Sequence, residues 1–270
     1  MYYQERTIKS FDGTPLYVRE SGEIDKPLLL LIHGGATDSD FYVRTAEPLS
    51  RLFHVVAYDR RGYLRSGLTA TCADPTDASR SEKKAVAKNI LRLHTEDAAC
   101  LIREFSNEID RAMGAYVISH SMGGPVGMNL AAEHPELVRK LLCVEPAWQG
   151  YRTLAHGPRA LMPALIFADE RGEPAPQEML DNVAVDSRMN AIDARLILQW
   201  KAPKGALKNA PVCFAVGEQS KGRIIYEETV SLAKELGKPL FYLPGVHNTG
   251  FNLPKEFAYL CAGVLLDPTV

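Results

Sequence analysis

Short, mostly apolar runs recur along the chain at Leu28–Ile32, His54–Tyr58, Ala115–Ser119, Lys140–Val144, Pro211–Val216 and Pro239–Leu243. They are leucine-rich or β-branched, too short for buried helices, and apolar at successive positions, the pattern of strands covered on both faces in a mostly parallel sheet. Amphipathic stretches separate them. In Glu82–Phe105 the residues Val86, Ile90, Leu93, Leu101 and Phe105 fall near helical spacing, and Arg223–Leu236 reads the same way. Near the start, Tyr2–Ser10 and Leu16–Glu20 flank an Asp12-Gly13 turn, which predicts an antiparallel hairpin at the sheet edge. The predicted fold class is α/β, with a mostly parallel central sheet and helices on both faces.

The alternation stops after Trp148. From there to about Lys208 the chain carries scattered aromatics and methionines with breaks at Gly157-Pro158 and Gly172-Glu173-Pro174, and no clear strand. This predicts a core built from 1–147 and 207–270 with a small helical cap, 148–206, inserted above the sheet. The cap's apolar residues either pack it onto the core or line a substrate pocket, for which Trp148, Tyr151, Met162 and Trp200 are the candidates.

Composition narrows the chemistry. A chain of 270 residues with a net charge of -2 has room for a large core and no basic stripe for nucleic acid or an anionic membrane. Five cysteines, Cys72, Cys100, Cys143, Cys213 and Cys261, lie far apart, with no CxxC pair and no Cys/His cluster at metal-ligand spacing. Buried free thiols in a reducing compartment account for them. The N-terminus lacks the layout of a signal peptide and no run is long enough to span a bilayer, so a soluble cytoplasmic protein is expected. No metal, nucleotide or redox cofactor is implied, since a Gly-x-Gly-x-x-Gly strand-turn-helix is also missing. The oligomeric state is left open, a homo-oligomer included.

The sharpest chemical signal is Ser119-His120-Ser121-Met122-Gly123-Gly124, directly after a predicted strand and before a helical segment. A serine at such a junction sits in a tight turn that pushes its hydroxyl out of the sheet and aims the next backbone N–H groups at whatever it attacks. The usual pattern is Gly-x-Ser-x-Gly; Ser119 replaces the first glycine, the mildest exchange available.

Together with His33-Gly34-Gly35 after a strand, Asp59–Ser66 after the next, and His247 near the end, this serine resembles the α/β-hydrolase superfamily over nearly the whole chain. The resemblance implies Ser121 as nucleophile and His247, in Leu243-Pro244-Gly245-Val246-His247, as its base, an ordinary loop histidine being the alternative. It also implies oxyanion donors at the Met122 N–H and at Gly35 or Gly34. The Met122 side chain would line the pocket floor or simply pack. Leu64 departs from the glycine or glutamine common in the Asp59–Ser66 loop.

The acid departs more. Many relatives carry an aspartate in a Gly-Glu-x-Asp turn, whereas this chain has Gly217-Glu218-Gln219-Ser220. Glu145, ending a predicted strand in Cys143-Val144-Glu145-Pro146, is the leading replacement; Glu218, an acid elsewhere and a Ser–His dyad remain open. A glutamate there is similar to the arrangement in some haloalkane dehalogenases and in zearalenone-type lactone hydrolases. The expected function is a serine hydrolase cleaving a neutral, fairly hydrophobic ester or lactone through an acyl-enzyme. C–C bond hydrolysis, perhydrolase chemistry and a non-catalytic ligand-binding receptor are the alternatives. A serine nucleophile excludes dehalogenase and epoxide hydrolase chemistry, which needs a carboxylate.

Overall fold

In the computed structural model, which describes residues 3–35, 37–68, 79–147, 189, 193, 196 and 200–270, the predicted runs become one sheet. Its strands are β1 (Gln4–Lys9), β2 (Pro15–Ser21), β3 (Leu28–Ile32), β4 (His54–Tyr58), β5 (Ala115–His120), β6 (Val138–Val144), β7 (Val212–Gly217) and β8 (Leu240–Leu243). Their order across the sheet is β1-β2-β4-β3-β5-β6-β7-β8. The hairpin β1–β2 is antiparallel and joins β4 antiparallel, and every later pairing is parallel.

Side chains alternate between two cores, as strand geometry requires. Leu28, Leu30, Ile32, Val56, Tyr58, Val117, Leu141, Cys143 and Phe214 face one core, while Leu29, Leu31, Val55, Ala57, Tyr116, Ile118, Leu142, Val144 and Ala215 face the other. Because both faces are covered, most central strand positions are apolar, which is why the runs read as continuous rather than alternating, with the buried Ser119 and His120 at the end of β5 as exceptions.

The first face is covered by α2 (Arg80–Phe105), α4 (Gly123–Glu133) and α5 (Ile224–Leu236); Ile90, Leu93, Leu101 and Phe105 of α2 enter this core, as their spacing predicts. The Val86 side chain lies outside the described residues. Helices α1 (Val43–Ser50) and α6 (Pro254–Leu266) cover the second face through Ala46, Leu49, Phe257, Cys261 and Leu265. Short α3 (Glu108–Met113) begins with an Asn107–Asp110 capping box, and Asp110 also accepts the Leu28 N–H at 3.0 Å. Among the described residues no helix is long and apolar enough to cross a membrane.

The topology brings two groups of residues together. β4 and β5 flank β3, so the chain reverses its direction of travel across the sheet there, and the crevice beyond the carboxyl ends of the strands opens at that point. Residues 33–35 leave β3 and Ser121 leaves β5 side by side, since Ile32 pairs with Ser119.

Candidate active site

Ser121 stands between β5 and α4 with φ at +51°, a left-handed conformation a non-glycine residue rarely adopts. Its backbone is held there: the N–H donates to Val144 O at 3.1 Å, and Ser121 O accepts from Gly124 and Ala147 at 2.9 and 2.8 Å. Two glycines permit the turn. A Cβ at Gly123 would lie 2.5 Å from Ile32 O, and one at Gly124 would lie 2.3 Å from the Pro146 Cβ. Ser121 precedes the N-terminus of α4, where unpaired N–H groups and the helix dipole favour negative charge. Ser119 is fully buried, its hydroxyl directed at Cys143 Sγ at 3.4 Å. Room for it comes from Gly127, whose Cβ would lie 2.7 Å from Ser119 Oγ. The glycine missing at 119 is thus offset eight residues further on, one turn into α4.

Glu145 continues directly from β6, is completely buried and also has positive φ, +39°. Its Oε1 accepts the Gly217 N–H at 2.9 Å and its Oε2 meets His247 Nδ1 at 2.7 Å. A carboxylate accepts, so Nδ1 carries the proton, and the Nε2 of a neutral ring holds the lone pair. That Nε2 is buried without a hydrogen-bond partner. The backbone carbonyl of His247 accepts from His120 Nε2 at 2.8 Å, and the His120 ring lies between Phe41, stacked at 4.8 Å, and His247 at 4.5 Å. The residue adjoining Ser121 therefore fixes the backbone of His247. Burial, with the neighbouring His247, holds His120 well below the usual imidazole range and keeps it neutral.

On the other side of Ser121 lies the 33–35 loop. A Cβ on Gly34 would meet Ser121 Cβ at 3.0 Å, and one on Gly35 would meet Met122 Cγ at 2.8 Å, so both glycines are needed for contact this close. His33 is buried and accepts the Arg60 N–H at Nε2, 2.9 Å, which leaves its Nδ1–H to donate to Gly34 O at 2.8 Å. Burial, then the Arg60 charge, pushes this imidazole well below its ordinary range.

Glu218 is exposed on a short turn, while Ser220 is buried with its hydroxyl unpartnered. Of the four pocket candidates, Trp148, Tyr151 and Met162 lie outside the described residues, as does most of the 148–206 segment. Trp200 is buried in the first core, its indole N–H donating to Asn129 in the second half of α4 at 3.1 Å. Met122 is buried in the same core. The sequence reading did not anticipate His120, Phe41, Arg60, Tyr63 and Asp193. The histidine had its position beside the serine as a signal, and Arg60 and Tyr63 lay within the Asp59–Ser66 motif; Phe41 and Asp193 carried none.

Comparison with known proteins agrees with the architecture. Residues 27–186 match the family described as the alpha/beta hydrolase fold. An uncharacterized hydrolase, YraK, of Bacillus subtilis (strain 168) is 27% identical over 266 residues, covering 89% of this chain and 88% of that protein. An esterase from Exiguobacterium antarcticum superposes with a TM-score of 0.73 at 16% identity, covering 98% of this chain and 100% of that one. The enol-lactonase of Burkholderia xenovorans LB400 superposes with a TM-score of 0.67 at 19% identity, covering 97% and 100%. At such identities these two superpositions speak for the fold alone. The match across more than half of the chain, on a sheet of this order with a serine in the strained turn after β5, makes the protein a member of the α/β-hydrolase fold family.

Proposed function

We propose that the protein is a serine hydrolase that cleaves a carboxylic ester or lactone through an acyl-enzyme, with Ser121 as nucleophile, His247 as base and Glu145 as the acid. The observation that carries this reading is the Glu145–His247 pair at 2.7 Å, buried together, with the far nitrogen of the imidazole unengaged. A free serine hydroxyl is almost wholly protonated at neutral pH and needs such a base.

In this mechanism Ser121 Oγ bonds to the substrate carbonyl carbon while its proton passes to His247 Nε2. The carbonyl electron pair moves onto oxygen, where the N–H groups of Met122 and Gly35 receive it. Glu145 keeps the imidazole in the correct tautomer and stabilises the imidazolium. As the tetrahedral centre collapses, His247 returns the proton to the leaving alkoxide; in a lactone that alcohol stays attached to the acyl chain. Water, deprotonated by His247, then attacks the acyl carbon; the Ser121 Oγ–carbon bond breaks, His247 returns the proton to Ser121 Oγ, and the acid leaves. The 148–206 segment is read as the cap, and its aromatic and methionine content suits a neutral, fairly hydrophobic acyl or alcohol group.

A hydrolysis screen across short-chain aryl esters, long-chain esters and macrocyclic lactones tests the reading, with intact-mass detection of an acylated Ser121 peptide under rapid quench. Turnover of neutral esters or lactones with that adduct is the expected result. Efficient cleavage only of charged substrates, or of C–C bonds with no ester turnover, would contradict it.

A further inference from the structure

Arg60 is an unusual residue to find behind an oxyanion loop, because its side chain has almost no solvent exposure. A buried guanidinium persists only where its charge is met, and although Nε has no partner, both terminal nitrogens do. One terminal nitrogen donates both to Gly34 O at 2.9 Å and to Asp193 Oδ2 at 2.8 Å. The other reaches Asp193 Oδ1 at 3.5 Å and lies 3.3 Å from His94 Nε2. The Tyr63 ring faces the guanidinium at 4.4 Å, and the Tyr63 hydroxyl donates to the same Asp193 oxygen.

Asp193 comes from the segment between β6 and β7. Met189, Asp193, Leu196 and Trp200 are spaced by four, three and four residues and are all buried, so they lie along one helical face. Three of the four are apolar members of the first core. A leucine at 193 would satisfy that stripe; an ionised carboxylate is out of place there unless it answers a charge, and the charge it meets is Arg60.

We propose that Arg60, neutralised by Asp193, is a positioning residue that sets the orientation of the Gly34–Gly35 peptide and through it the Gly35 N–H. Gly34 O has two lone pairs, and both are taken, one by Arg60 and one by His33 Nδ1–H. Gly34 C=O and Gly35 N–H belong to one planar trans peptide and point in opposite directions. Gripping the carbonyl therefore aims the N–H without touching it. The 148–206 segment then does more than shape the substrate's surroundings: by delivering Asp193 it completes the support of a group that meets developing charge, and so acts on the rate of the chemical step. The inference rests on the Ser121 reading above.

The test uses the double variant Arg60→Met/Asp193→Leu, which removes both charges at similar volume and is expected to fold, since replacing both partners of a buried ion pair by apolar residues is often neutral. With an activated aryl ester, kcat should fall about 10- to 100-fold with KM changed less than about 2-fold, approaching the loss of a whole oxyanion donor. Affinity for an aryl trifluoromethyl ketone, whose adduct places an alkoxide in the same hole, should fall by a matching factor. Asp193→Asn, which retains an acceptor for Tyr63, should give the same pattern to a smaller degree. A purely structural role would lower the melting temperature and leave kcat and ketone affinity of the folded enzyme alone. Unchanged kcat and ketone affinity in either folded variant would overturn the proposal by itself. A wild-type chain that a fluorophosphonate never modifies at Ser121 would overturn the Ser121 reading and the proposal with it.

Discussion

The two sides of Ser121 are held by different physics. On the histidine side, Glu145 follows β6, its carboxylate takes the Gly217 N–H at the end of β7, and its other oxygen meets His247 beyond β8. Three neighbouring strand ends thus support one another through short, directional bonds. On the loop side, a full positive charge sits behind Gly34, and its counter-charge comes from 133 residues away in sequence. The first arrangement follows almost automatically once the sheet forms. The second exists only when a distant segment docks, so the loop side is where the geometry of the site depends on something other than the sheet.

The sharpest way to break this contrast is through activity. Ser121→Ala should remove at least about 10⁴-fold of kcat on any ester the enzyme turns over, with the fold intact by circular dichroism, because nucleophile and base act as a unit. Glu145→Gln keeps the shape but withdraws the charge that orients the imidazole, and a loss of about 10³- to 10⁴-fold in kcat is expected by steady-state assay. The loop-side variants should lose far less, tens to about a hundredfold, since they move a donor rather than remove it. Glu218→Gln should change neither kcat nor KM, its carboxylate being exposed on the turn after β7.

Stability offers a second line of attack. His33, His94 and His120 are all fully buried and pushed well below their ordinary value, first by burial. The unfolded chain takes up their protons near pH 6.5 while the folded one does not, so stability is lost as pH falls below that value. At about 1.4 kcal/mol per proton per pH unit, the three together cost about 4 kcal/mol for each unit of full uptake. Asp38, raised to about 6 chiefly by burial, and Asp97, raised for the same reason, run the other way, as two groups against three. Denaturant melts at pH 7 and pH 5.5 should therefore show a marked fall in unfolding free energy on the acid side.

A smaller effect is predicted beneath the serine. Gly127→Ala should destabilise by about 1–3 kcal/mol through collision with Ser119, and Ser119→Gly in the same chain should recover most of it. Additive losses in a double-mutant cycle would show that the two positions do not share the space.

The same contrast governs what the sequence discloses. The strands were legible because burial on both faces leaves continuous apolar runs, and α2 because Ile90, Leu93, Leu101 and Phe105 keep helical spacing. Ser121 and His247 were legible from their positions after such runs, and Glu145 from the absence of an acid at Ser220 together with its place at a strand end. Pairings between neighbouring strand ends are implied by strand order alone. Arg60 and Asp193 are different: an arginine in a loop and an aspartate in a helical segment carry no mark of being buried together. Ser119 was readable as a missing glycine, yet the compensating Gly127 lies on a helix where a glycine is unremarkable until the packing is seen.

The most direct measurement of the central account is the rate at which a fluorophosphonate modifies Ser121, followed by mass spectrometry in the wild type, Glu145→Gln and Glu218→Gln. A single adduct on Ser121 is expected in the wild type, with labelling slowed about 10³-fold in Glu145→Gln and an unchanged rate in Glu218→Gln. An intact wild-type chain left unmodified, or labelling abolished by the Glu218 change and untouched by the Glu145 change, would contradict the Ser121–His247–Glu145 assignment.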